Sequence, residues 1–310
     1  MKRKNKKLNS IKFKEGKKGL KRKNSVSENH MKIKNRSRYE KLFSEKKQVF
    51  IPFTVLGFPN EKQNYSILKK YLNYADALEL GIPFSDPLAD GKTIQKADET
   101  ALRNGMNTKK AFALIKKIRK LNLEIPIGLL VYCNTVYAYG LNKFYSDAKK
   151  AGVDGILIAD LSLEESKPYV SASKKNNIRQ IFIISQNTPI KRIKKISGSC
   201  SGFIYAVSLL GVTGERKKLN KKIHAFIKRI RSNSILPVCV GFGVSNAKQV
   251  EEILSFGADG VIVGSALVKA VEKGTLGKKL NELKKAFNIN NAKLRQIPGF
   301  HESFLYQLGT

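Results

Sequence analysis

Leu78 to Gly91, LELGIPFSDPLADG, runs from a short apolar segment into a loop punctuated by Pro83, Pro87 and Gly91. The first part reads as a buried strand, Ala77 to Phe84, and the second holds too many turn formers to continue it. The stretch carries two carboxylates eleven residues apart, Glu79 inside the apolar run and Asp90 in the loop. Burial disfavours the charged form of an acid, so two carboxyl groups in unlike environments can serve as acid and base. Taken alone, Glu79 reads equally well as a strand glutamate satisfied by a lysine or a backbone N–H.

Outward from this stretch the same pattern repeats. Short β-branched, apolar runs lie at Val49 to Leu56, Ala77 to Phe84, Pro126 to Tyr132, Gly155 to Ala159, Gln180 to Ile184, Phe203 to Ser208, Pro237 to Gly241 and Gly260 to Val263. Between them fall segments of helical spacing. The clearest is Leu219, Ile223, Phe226, Ile227 and Ile230, and others fit Thr108 to Leu121, Leu141 to Ala151, Glu164 to Lys175 and Asn246 to Phe256. Alternating strands and helices argue for a parallel sheet. Eight such units in one undivided stretch fit an α/β fold of the (β/α)8 TIM barrel type, typically about 250 residues. An open doubly wound sheet is the rival, but no GxGxxG follows the first strand. The expected layout is a basic N-terminal extension over residues 1–36, a single barrel domain over 37–288 opening with a short helix near Tyr39 to Lys46, and a tail over 289–310.

Lys and Arg number 59 against 24 Asp and Glu, a net charge of +35. Residues 1–38 hold sixteen of those cations and only Glu15 and Glu28, with few apolar residues and no periodicity. Such a segment reads as a solvated, disordered arm. Met31 is an alternative start of the chain, which peptides from residues 8 to 30 in native material would rule out. The other cations fall in scattered pairs such as Lys116-Lys117 and Lys221-Lys222, without interleaved aromatics, so they read as solvated helix faces and no nucleic-acid partner is expected. Cys133, Cys200 and Cys239 show no ligand or redox spacing, and His30, His224 and His301 lie far apart, so no metal site is expected. No apolar run suits a bilayer and the amino terminus lacks a secretory segment, so no membrane association and a cytoplasmic location, or an organelle stroma, are expected.

In a barrel of this kind the chemistry sits at the carboxyl ends of the strands. Informative residues fall there: Glu79 and Asp90 with the second strand, Tyr132 and Asn134 with the third, Asp160 with the fourth, Tyr205 and Ser208 with the sixth. Gly211–Gly214, Gly241–Gly243 and Gly264-Ser265 follow strands six, seven and eight. Each glycine cluster alone is as often a plain turn. Together they form a phosphate-pocket pattern, in which backbone N–H groups and a helix amino terminus meet an oxyanion.

These blocks carry a resemblance. Leu78–Gly91 resembles the signature of the tryptophan synthase alpha chain family, Ser37–Phe43 (SRYEKLF) its opening helix, and Ile51-Pro-Phe53 its first strand. Asp160 with Leu163–Ser166 resembles its fourth strand-to-helix junction. Gly211–Gly214, Gly241–Ser245 and Val263–Ser265 resemble its last three loops, and the likeness covers roughly residues 37 to 275. It implies an aldol-type cleavage of indole-3-glycerol phosphate to indole and glyceraldehyde 3-phosphate, with Glu79 as acid and base and Asp90 accepting from the ring N–H. Phe53, Leu130, Tyr132, Ala159, Ile183 and Tyr205 would line the indole slot, and Thr213 would lie on a closing loop. Gly214, Phe242, Gly243, Gly264 and Ser265 would hold the phosphate. Considered singly, Phe53, Leu130 and Ile183 read as barrel filling.

The resemblance also implies a tetramer of two alpha and two beta chains. No cofactor is expected on this chain and pyridoxal phosphate only on the beta chain. Docking is expected at the loop from Pro83 to Lys92, with Asp86 and Pro87 at its tip, and at the helical segment after Asn134. Three positions depart from the family pattern: Lys92 and Ser162 stand where proline is usual, and Phe58 where an acidic residue is frequent. Two other readings remain open on sequence, a different sugar-phosphate barrel enzyme and a catalytically weak activator of a beta chain.

Overall fold

The computed structural model describes the backbone of residues 36–207, 216–241 and 243–295, and the side chains of those residues except 216–221 and 288–295. The helix α1 (Arg38–Glu45) leads into β1 (Val49–Val55), α2 (Glu61–Leu72) and β2 (Leu78–Gly81). Then come α3 (Lys92–Arg103), α4 (Thr108–Leu121), β3 (Ile127–Val131), α5 (Cys133–Tyr139), α6 (Leu141–Ala151), β4 (Gly155–Ile158), α7 (Lys167–Lys175) and β5 (Arg179–Ser185). The order closes with α8 (Ile190–Ser199), β6 (Ile204–Val207), α9 (Arg216–Arg231), β7 (Val238–Gly241), α10 (Ala247–Ser255), β8 (Gly260–Val263), α11 (Ser265–Glu272) and α12 (Leu276–Arg295). The eight strands pair in chain order as a closed barrel. β8 returns to β1 in parallel register, Val49 opposite Gly260 and Pro52 opposite Val263. This is the (β/α)8 barrel expected from the alternation.

Strands covered on both faces need continuous rather than alternating hydrophobicity, and β1, VFIPFTV, is buried at every position. β2 leaves the sheet at Gly81, three residues before the expected end. Ile82 N–H still reaches Leu130 O at 3.2 Å, but Pro83 has no N–H to continue the ladder. α7 begins at Lys167 rather than Glu164, because the preceding residues are spent in a turn in which Ser162 Oγ accepts the Glu165 N–H at 3.2 Å. Pro168 then sits in the first turn, where its missing N–H costs nothing. The capping is legible in the sequence: Asn60, Asn107 and Asn246 each accept the N–H three residues on, at 3.0, 3.1 and 3.0 Å. The boundary expected at 288 falls inside α12, whose Leu280, Leu283, Ala286 and Phe287 are buried.

The block Arg38-Tyr39-Glu40 attaches α1 to the barrel with three consecutive side chains. Arg38 pairs with Asp154 at 2.7 Å and Glu40 with Arg179 at 2.9 Å. Between them Tyr39, 1% exposed, enters the barrel. Gly128 and Gly155 make its room, since a Cβ there would stand 2.7 Å from the Tyr39 hydroxyl and 2.9 Å from its Cε2. Asp154 also accepts Arg119 at 2.7 Å and the Ile127 N–H at 2.9 Å, so one carboxylate ties α1, α4 and β3 together.

Candidate active site

Glu79 lies in β2, buried at 4% exposure, beside Phe53 of β1 and Gly128 of β3 in the strand register. Its carboxyl is hydrogen-bonded by the Tyr205 hydroxyl, while Oε2 is buried with no hydrogen-bond partner among the described residues. A half-satisfied carboxyl in an apolar barrel is costly unless it is neutral or meets a ligand. Burial, reinforced by the nearby Asp90 charge, pushes the Glu79 pKa up to about 8, against the opposing Tyr205 hydrogen bond. Among the described residues no lysine pairs with Glu79, and the polar groups acting on it are Tyr205 and Asp90.

Asp90 sits at the far end of the loop after β2. Tyr132, which follows β3, donates its hydroxyl to Asp90 Oδ2 at 2.7 Å and accepts the Ala89 N–H at 3.2 Å. Burial raises the Asp90 pKa and the Tyr132 bond lowers it. The two carboxyl groups thus have unlike supports, one in a dry strand and one at a loop end tied by a phenol.

The apolar residues expected at the slot fall on neighbouring strands of the barrel. Phe53 fits between two glycines: a Cβ on Gly81 would stand 2.9 Å from Phe53 Cζ, and one on Gly264 3.0 Å from Cδ1. Leu130 pairs with Gly81, Ile183 with Tyr205, and Ala159 joins β3 through its N–H to Val131 O at 2.9 Å. After β7, Gly243 has φ +79°, a conformation side chains rarely adopt. Gly264 precedes α11 and its carbonyl takes the Leu267 and Val268 N–H groups at 2.8 and 3.0 Å. The helix opens at Gly264 with no side-chain cap among the described residues. Thr213, Gly214 and Phe242 lie outside the described residues.

One polar residue marked in the sequence gains a structural role, and another escaped the reading. Asp160 accepts the Cys133 N–H at 2.7 Å, linking the ends of β3 and β4. Asp98, on the buried face of α3, is 5% exposed. The signal for it was an acid within the apolar stripe Ile94, Ala97 and Ala101. Among the described residues no three His, Cys, Asp or Glu side chains converge to hold a metal ion, and no helix is long and apolar enough to cross a membrane. A groove of about 730 Å³ lies between the loop Ser85–Leu88 and α3, and neither Glu79 nor Asp90 lines it.

A closed parallel barrel with two unequal carboxyl groups and a helix opening on a glycine after β8 defines an acid/base enzyme of the (β/α)8 class. The family model of the tryptophan synthase alpha chain matches residues 39–297. The chain belongs to the tryptophan synthase alpha chain family. It is 44% identical over 241 residues to the Methanocaldococcus jannaschii tryptophan synthase alpha chain, covering 78% of this chain and 85% of that one. To the Helicobacter pylori alpha chain it is 41% identical over 263 residues, covering 84% and 95%. A structure of the mutually activating tryptophan synthase α2β2 complex of Pyrococcus furiosus contains a chain that superposes with TM-score 0.71 and 41% identity, covering 76% of this chain and 97% of that one. The alpha subunit of Legionella pneumophila gives 0.76 at 30% identity, covering 82% and 99%.

Proposed function

We propose that this chain is the alpha subunit of a tryptophan synthase and cleaves indole-3-glycerol phosphate to indole and glyceraldehyde 3-phosphate, a carbon–carbon lyase step in L-tryptophan synthesis. The observation that carries the residue assignment is the Glu79 carboxyl, buried, protonated near neutrality and open at Oε2. Glu79 gives its proton to indole C3, and Asp90 accepts the ring N–H as positive charge develops on the nitrogen. Glu79, now a carboxylate, takes the hydroxyl proton from the adjacent side-chain carbon. The O–H pair closes a carbonyl, the bond from that carbon to C3 breaks, and its electrons return to the ring. One proton leaves Glu79 and one returns, so a single group with a pKa near the working pH serves both steps.

Phe53, Leu130, Tyr132, Ala159, Ile183 and Tyr205 form the apolar wall that a bicyclic ring needs, with Thr213 on the closing loop. Gly214, Phe242, Gly243, Gly264 and Ser265 receive the phosphate, as the start of α11, without a side-chain cap among the described residues, favours. The activity resides in the barrel over 37–288, with 1–36 and 289–310 as extensions, in the cytoplasm or an organelle stroma. This chain requires no cofactor, and pyridoxal phosphate belongs to the beta chain, which joins it in a tetramer of two alpha and two beta chains. The docking face is the loop Pro83–Lys92 together with α5. Leu88 at 91% and Tyr137 at 79% exposure are the large apolar groups it offers.

The test is release of glyceraldehyde 3-phosphate from indole-3-glycerol phosphate, with and without a beta chain, by the wild type and Glu79→Gln. Activity that falls on the order of 10² to 10⁴ in the variant supports both reaction and assignment. A folded wild type inactive in both conditions overturns the reading.

A further inference from the structure

The last helix of the chain holds the loop after β7 with two side chains one turn apart. Glu282 of α12 accepts the Ala247 N–H on Oε1 at 3.2 Å, and Lys279 donates from Nζ to the Ser245 carbonyl at 3.3 Å. Lys279 also pairs with Glu282 Oε2 at 2.6 Å. Ala247 and Glu282 are 35 residues apart, with β8 and α11 between them. Leu280 and Leu283, beside the pair on α12, are fully buried, so both side chains stand on a helix fixed to the barrel. The other hydrogen bonds of Ser245 and Asn246 among the described residues stay within their own segment. Gln249 Oε1 takes the Ser245 N–H at 2.8 Å and the Ser245 hydroxyl at 3.0 Å, and Asn246 Oδ1 takes the Gln249 N–H at 3.0 Å.

A carboxylate at a helix amino terminus takes the place in which an oxyanion would bind. At the start of α10, Glu282 and Asn246 accept two of the first-turn N–H groups. The start of α11, at Gly264, has no such side-chain cap. The two helix ends that follow β7 and β8 are therefore unequal, one filled by the protein's own acid and one not. We infer that Lys279 and Glu282 are positioning residues for the substrate phosphate: they hold the segment Gly243–Ala247 from outside the barrel and close the α10 end to anions, so that the phosphate settles between Gly243 and the start of α11. This rests on the proposed reaction and on Gly243 facing the phosphate in it.

The ion pair agrees with such a role. An acid set near an anion pocket repels the ligand unless a cation offsets it, and Lys279 stands on Glu282 at hydrogen-bond distance. An amide keeps an acceptor oxygen for the Ala247 N–H and carries no charge, so Glu282→Gln should replace the acid. Glu282→Ala leaves the Ala247 N–H without its partner on α12. Lys279→Met keeps the stem and the Glu282 cap but removes the cation and the bond to the Ser245 carbonyl.

The phosphate is remote from the bond that breaks, so its hold is equal in ground and transition states and is read in KM rather than kcat. For Glu282→Ala we expect the KM for indole-3-glycerol phosphate and the Kd for glycerol 3-phosphate to rise about 5- to 20-fold, with kcat within about twofold. Glu282→Gln should bind both at least as tightly as the wild type. Amide hydrogen exchange over residues 243–249, which needs no substrate, should speed up in the alanine variant and not in the glutamine one. Lys279→Met serves if Glu282→Ala does not fold: its affinity for glycerol 3-phosphate should fall about 3- to 10-fold, and the deficit should narrow as salt screens the exposed acid. Wild-type affinity in Glu282→Ala or Lys279→Met, a glutamine variant as impaired as the alanine one, or a loss confined to kcat overturns the inference. A wild type that binds glycerol 3-phosphate but cleaves no indole-3-glycerol phosphate overturns the reaction alone, and the affinities of the variants still decide the role of the pair. A folded wild type that binds no glycerol 3-phosphate overturns the inference.

Discussion

The phenol of Tyr205 occupies the space in which a side chain at position 241 would begin. A Cβ on Gly241 would stand 2.3 Å from the Tyr205 hydroxyl oxygen and 2.6 Å from Cζ. Tyr205 belongs to β6 and Gly241 to the end of β7, yet the hydroxyl that passes over this glycine is the one that bonds Glu79 of β2. The glycine is required by close approach, not by its backbone angles, and it is part of what holds the acid. Phe53 is seated the same way between Gly81 and Gly264. Glycines at the strand ends thus make room for the aromatic rings of neighbouring strands.

Gly241→Ala should therefore act on catalysis through Tyr205. Overpacking of this kind costs about 1–3 kcal/mol, which a urea midpoint will read. Displacing Tyr205 removes the hydrogen bond on Glu79, and turnover should fall about tenfold or more. A variant that folds and retains wild-type turnover would separate Tyr205 from the acid.

The raised Glu79 pKa makes a signed prediction for stability. The folded group titrates near 8 and the unfolded one near the ordinary glutamate value of 4.5. Between these values the unfolded chain releases a proton that the folded protein keeps, so wild-type stability falls as pH rises through that window and levels off above it. Glu79→Gln carries no such term, while Asp98 titrates in both proteins and cancels in the comparison. The stability of the variant relative to wild type should rise from pH 4.5 to 8, by on the order of a few kcal/mol. Denaturation curves at pH 5 and 8.5 that differ equally would contradict it.

Tyr132→Phe should move the acid limb of the rate profile. The Tyr132 hydroxyl stabilises the Asp90 carboxylate and so lowers a pKa that burial raises. Without it the Asp90 pKa rises, and the acid limb of kcat/KM should shift to higher pH together with a lower plateau. An unshifted limb would mean that Asp90 is not the group titrating there.

The base of the barrel yields a purely structural prediction. Tyr39 is enclosed, its ring packed edge-on to Phe203 with centroids 5.5 Å apart. Tyr39→Ala leaves a cavity that the strands cannot close, at a cost of about 3–5 kcal/mol. Removal of residues 1–36, which spares Arg38, Tyr39 and Glu40, should leave the melting temperature and the lyase rate unchanged.

The barrel is legible because its strands are short apolar runs between segments of helical spacing. Glu79 is legible because a carboxylate interrupts an apolar strand, while Asp90, in a turn-rich loop where Asp is ordinary, stands out only through the resemblance of the whole stretch. Asp98 follows the same rule as Glu79, but on a helix face an acid is ordinary unless the buried stripe is known, and α3 was not marked as a helix in advance. The end of β2 and the start of α7 differ from the expectation by three residues each, where Pro83 and the Ser162 turn withdraw backbone groups from the regular pattern. That Tyr205 rests on Gly241 is a contact across neighbouring strands, which no local spacing records.

Leu88 links partner and chemistry in one loop. It is 91% exposed, while Asp90, two residues on, is held by Tyr132 and by Gln95. A beta chain that covers Leu88 must therefore press on the segment between the groove of α3 and the Asp90 carboxylate. Covering one leucine contributes about 1.5–3 kcal/mol, or roughly a 10- to 100-fold change in affinity. Leu88→Asp removes that contribution and adds a charge to be desolvated, so binding to a beta chain should weaken by at least about tenfold. Any acceleration of glyceraldehyde 3-phosphate release by the beta chain should be lost at concentrations that saturate the wild type, and should return when more beta chain is added. Undiminished binding in calorimetry would place the docking face elsewhere on the barrel.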